Sequence, residues 1–174
     1  MPISGPNHLS VLGIVHTAIS ILALIAGFYA SFRFGKINPL KGVGKWYTIL
    51  TVLTCLTAFP IMKTGHFTGA HGLGVMVLIM LLLAIYARSL RILGNKAKYV
   101  ETVLMSGTLF FSMIPAIVET LTRLPVSSPV ATDPGSPAII SCLTVLIIAF
   151  AMGVVYQVRN LKADRGVEIT QTAR

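Results

Sequence analysis

A chain of 174 residues with only 11% charged and 55% hydrophobic side chains cannot dress a water-facing surface, which normally needs about a quarter of its residues charged. Its mean hydropathy of +0.83 excludes an ordinary soluble domain and points to an integral membrane protein. The net charge of +9 would indicate nucleic acid only if the cations formed a patch on a folded aqueous surface. They fall instead in short segments between apolar runs, so the expected partner is the lipid bilayer and no nucleic acid is expected.

The N-terminal "MPISGPNHLS" lacks the basic region of a secretory signal, so the first apolar run is read as a retained helix. Five apolar segments follow in chain order, at residues 9–32, 46–62, 67–87, 102–121 and 137–158. Crossing a hydrocarbon core of roughly 30 Å takes about 20 helical residues, within a range of about 17 to 25. All five meet that length, the second at its lower limit. Helices are expected because in lipid every backbone N–H and C=O must be paired within the protein, which a single helix achieves alone. The run "ILALIAGFYA" also lacks the alternation of a barrel strand. The predicted fold class is an all-α bundle of five transmembrane helices in one membrane domain, residues 1–174, ending in a polar, frayed tail at 159–174.

The connecting segments set the orientation. Arg33, Lys36, Lys41 and Lys45 lie between the first two runs, Arg88, Arg91, Lys96 and Lys98 between the third and fourth, and Arg159, Lys162, Arg165 and Arg174 in the tail. Only Lys63 and Arg123 fall on the other side. Basic residues accumulate in cytoplasmic segments, so the N-terminus is expected outside and the C-terminus in the cytoplasm. Trp46, Tyr47, Tyr86 and Tyr156 sit where interfacial aromatic residues belong. Cys55 and Cys142 lie inside apolar runs without CxxC spacing and are read as buried small apolar residues.

In this topology His8, His16, His66, His71 and Glu119 gather toward the outer face, and no histidine lies on the inner side. In "MKTGHFTGAHGLG", His71 opens the third helix while His66 is read as an interfacial loop residue. His16 and His71 stand at similar depth on different helices, as two axial imidazoles of a haem b would, with Gly69, Gly72 and Gly74 leaving room for its plane. The same His16, with His66, His71 and Glu119, forms a donor set suited to Zn, Cu or Fe, although no HExxH spacing is present. A third chemistry needs no cofactor: histidine and glutamate, with Thr57, Thr64, Ser112 and the kinking Pro115, would line a quinone, small-molecule or proton-coupled pocket. Each residue also has a structural explanation. Glu119 and Arg123 have the spacing of a helical ion pair, His16 is placed to bond a neighbouring helix, and glycines beside His71 permit close helix packing.

The stretches "FPIMKTGHFTGAHGLG" and "FFSMIPAIVETLTRLP" resemble segments of small uncharacterised bacterial multi-helix inner-membrane proteins. The resemblance implies a multi-pass setting in the bacterial inner membrane and brings no established activity. The expected function is a membrane redox or ligand-binding protein holding a haem or metal near the outer face. The alternatives are a non-catalytic subunit packing against a partner membrane protein and a quinone or proton-coupled pocket.

Overall fold

In the computed structural model, residues 10–60 and 69–172 are described, with side chains as far as Ala163. His8, Lys63, Thr64 and His66 lie outside the described residues. Every regular element among those described is helical: α1 (Val11–Phe34), α2 (Gly42–Ala58), α3 (Gly69–Tyr86), α4 (Ala97–Arg123) and α5 (Pro137–Thr172), with a short 3-10 turn at Arg91–Lys96 before α4. The ends follow local chemistry. Ser10 caps α1 by accepting a hydrogen bond from the Gly13 amide at 3.1 Å, satisfying one of the donors that a helix start leaves open. Gly35 ends α1 at φ +66°, a left-handed conformation that costs glycine least. Pro137 opens α5, where its missing N–H removes no helical bond.

Four helices are long and apolar enough to cross a membrane, at Val11–Phe34, Gly69–Tyr86, Arg91–Arg123 and Pro137–Ala163. The fifth, α2, has 17 residues, about 25 Å at 1.5 Å per residue, and lies antiparallel along α1. His16 meets Thr57 and Gly27 meets Tyr47. In the same way Met80 meets Gly107 and Arg88 meets Glu101 between α3 and α4. Phe110 packs on Phe150 between α4 and α5, with ring centroids 4.7 Å apart.

The packing partners define a ring. α1 packs on α2 and α4, α3 packs on the same two helices, and α5 packs on α4. Neither α1 and α3 nor α2 and α4 are neighbours, so each of these pairs faces across the bundle axis. Tyr47 spans that axis. Its hydroxyl lies 2.8 Å from the Thr108 oxygen, and because Thr108 donates to the Met105 carbonyl, the phenol is the donor. Gly27 admits the Tyr47 ring so closely that a Cβ there would stand 2.8 Å from it.

At the end of the bundle where α1, α3 and α5 run toward their C-termini, Arg88 grips Glu101 with two hydrogen bonds, Nη2 to Oε1 at 2.9 Å and Nε to Oε2. The carboxylate beside it raises the Arg88 pKa. Gln157 of α5 receives the Ser106 hydroxyl at 2.7 Å and reaches Ser31 at 3.4 Å, tying α5 to α4 and α1. Arg33, Lys36, Lys41, Lys45, Arg91, Lys96, Lys98, Arg159 and Lys162 share this basic end.

Several expectations change. α4 begins at Ala97 rather than near 102 and draws Glu101, 4% exposed, into the bundle, so α4 carries a buried acid in addition to the exposed Glu119. Arg88 makes that burial tolerable by supplying a matched bidentate partner. Tyr47 is fully buried instead of interfacial, whereas Trp46, Tyr86 and Tyr156 are exposed. Cys55 is buried but Cys142 is exposed, and α5 runs on as helix through Thr172 where a frayed tail was expected.

Candidate functional site

The opposite end of the bundle brings together the start of α1, the end of α2, the start of α3 and the end of α4. His16 lies about 8 Å into α1 from Val11, is half-buried, and places Nδ1 3.0 Å from the Thr57 hydroxyl oxygen on α2. Thr57 spends its own proton on the Leu53 and Thr54 carbonyls, at 2.8 and 3.0 Å. Its oxygen is therefore an acceptor, which assigns the proton of a neutral His16 ring to Nδ1. Nε2 then carries the lone pair. The Glu119 carboxylate of α4 lies close enough to act on the ring electrostatically, and Glu119 also pairs with Arg123 one turn further on, at the spacing expected for such a pair.

His71 is 4% exposed at the start of α3, with its ring stacked near Phe59, centroids 6.3 Å apart. Phe59 immediately follows α2. His16 and His71 thus meet the same end of α2, one through Thr57 and the other through Phe59, from helices that oppose each other across the axis. A Cβ added at Gly69, Gly72 or Gly74 would meet nothing within 4 Å. The close helix packing expected of those glycines is absent among the described residues, and open space lies beside them. Tight glycine contacts occur instead at Gly27 and Gly107.

Among the described residues no group of three or more His, Cys, Asp or Glu side chains gathers into a metal-binding set. His16 and Glu119 come together; His71 joins them at the same end of the bundle but not in such a group, and His66 lies outside the described residues. Comparison of the chain with protein-family models, with curated proteins and with solved structures found no significant match.

Sequence reasoning recovered Thr57 as a lining residue but not as the group that orients His16. Their separation of 41 positions gives no local signal. Thr57→Val removes the acceptor while keeping the shape, and is expected to abolish the fixed Nδ1–H tautomer; Thr57→Ser retains it. Nitrogen NMR of histidine-labelled protein reads this directly, through the separate shifts of the protonated and bare ring nitrogens. An unchanged His16 signal in Thr57→Val would contradict the assignment.

Proposed function

We propose that the protein is a multi-pass redox or ligand-binding protein of the bacterial inner membrane, with five spans, the basic end in the cytoplasm and the histidine end outside. His16 and His71 are the ligands to a haem b or to a metal such as Zn, Cu or Fe at that outer end. One observation carries this reading: Nδ1 of His16 lies 3.0 Å from a Thr57 hydroxyl that already donates to the α2 backbone, an arrangement that leaves Nε2 as the donor atom. Histidines that ligate metals are oriented in this way, by a hydrogen bond from the other ring nitrogen that also raises the basicity of the ligating one. A further feature supports it. Bundles build such sites from side chains on facing helices, as α1 and α3 are.

Glu119, near His16 and already paired with Arg123, supplies a negative charge that would stabilise a positively charged metal or a protonated imidazole. The orientation rests on the basic end of the bundle, since Lys and Arg are retained on the cytoplasmic side. Electrons for a redox role would come from a quinol or a partner protein.

Variants of the full-length protein test the ligand assignment. His16→Ala and His71→Ala are each expected to lose the bound chromophore or metal, while His8→Ala keeps it. Equal retention in all three would refute it. A non-catalytic subunit is the second reading, favoured by α5, which packs chiefly on α4, reaches α1 through the Gln157–Ser31 hydrogen bond, and is buried over only 6% of its apolar window. Under that reading both histidine variants leave the bound content unchanged and alter only co-purification of a partner.

A further inference from the structure

The basic end holds a feature unrelated to the histidines. A groove of about 510 Å³ runs between α4 and α5, lined by Lys96, Tyr99, Val100, Val158 and Lys162. We propose that it is a binding site for one anionic phospholipid, with the headgroup phosphate between Lys96 and Lys162 and an acyl chain along Val100 and Val158. This inference is independent of the function proposed above.

The geometry follows from helical spacing. Lys96 caps the start of α4, three and four residues ahead of Tyr99 and Val100, and Val158 is four ahead of Lys162 on α5, so each set lies along one side of its element. Antiparallel packing of α4 on α5 then brings the two lysines level on either side of an apolar floor. Both lysines are exposed, and neither is in an ion pair among the described residues. Lys98 behaves differently: its ammonium donates to the Leu161 carbonyl at 3.2 Å, fastening α4 to α5 beside the groove and fixing its width.

Depth is also appropriate. From Pro137, Lys162 lies about 37 Å along α5 at 1.5 Å per residue, which exceeds a hydrocarbon core of roughly 30 Å and reaches headgroup level. Val158 sits one turn deeper, at the edge of the acyl region. A free phosphate would satisfy the lysines but leave the valines and the Tyr99 ring uncovered, whereas a phospholipid matches both parts. Each lysine near an anionic lipid surface contributes about a five-fold gain in binding, so the pair should prefer an anionic over a zwitterionic lipid by about 30-fold at most.

The test is native mass spectrometry of the full-length protein released from mixed micelles containing equal phosphatidylglycerol and phosphatidylcholine. The wild type is expected to retain one phosphatidylglycerol preferentially. Lys96→Gln with Lys162→Gln should lose the preference, Lys96→Arg with Lys162→Arg should keep it, and Lys36→Gln with Lys41→Gln, which removes equal charge elsewhere at the same end, should also keep it. Equal retention of both lipids by the wild type would overturn the proposal. So would equal loss in the two glutamine pairs, which would make the effect general surface charge, or displacement of the lipid by inorganic phosphate alone.

Discussion

Arg88→Ala should destabilise the protein by about 3 kcal/mol, well beyond the roughly 1 kcal/mol expected for Glu101→Gln. The inequality comes from where each partner sits. The Glu101 side chain is 5% exposed and that of Arg88 is 54% exposed. Removing the arginine strands a carboxylate inside the bundle with nothing to replace two charge-assisted hydrogen bonds. Removing the charge of Glu101 leaves an arginine already in contact with the surroundings, and glutamine still accepts from it. Stepwise unfolding in denaturing detergent measures both variants on one scale. The double variant should cost less than the sum of the two, because it leaves no unpaired ion. Equal costs for the single variants, or a larger cost for Glu101→Gln, would refute the asymmetry.

The sign of the pH dependence follows from Arg88. Its pKa is raised in the folded protein by the hydrogen bonds to Glu101, so its contribution is complete below the unfolded-state value and is lost as the pH rises through the folded one. The unfolded value is arginine's ordinary, strongly alkaline one, and the folded value lies above it. The stability due to Arg88 should therefore stay constant through neutral and mildly alkaline conditions.

Tyr47→Ala is expected to cost about 3 to 5 kcal/mol, the range for deleting a large buried aromatic side chain. The phenol is 0% exposed, fills the axis of the ring against Gly27 and Leu109, and joins α2 to α4 through Thr108. Tyr47→Phe should cost only about 0.6 kcal/mol, the average for a hydrogen bond between membrane helices, since Thr108 keeps its bond to the Met105 carbonyl. Packing is thus predicted to outweigh the hydrogen bond several-fold. A phenylalanine variant as damaged as the alanine variant would reverse that ranking.

The helices were legible because length and apolarity alone decide whether a segment can cross lipid. Their arrangement was not. α3 and the membrane-length first part of α5 are apolar all round, so no stripe marks the face turned inward, and the opposition of α1 to α3 appears only once the ring closes. Glu101 was hidden by its position: three residues after Lys98 and one before the apolar run at 102–121, it fell just outside the predicted span, and its partner Arg88 lies beyond the Arg91–Lys96 turn. Tyr47 was hidden by Trp46, since a Trp–Tyr pair following a basic loop has the composition of an interfacial belt. The gathering of His16, His71 and Glu119 at one end followed from span parity, whereas the Thr57 bond that orients His16 depends on the rotation of α1 against α2.

The claim that the histidine end holds a haem or metal is tested most directly by one measurement on the wild-type protein purified in mild detergent: its visible absorption, oxidised and then reduced, with metal analysis of the same sample. The expected result is a Soret band that sharpens and shifts on reduction, or a colourless protein with stoichiometric zinc, copper or iron. A colourless, metal-free protein that stays so after reconstitution with haemin and with each metal would contradict it.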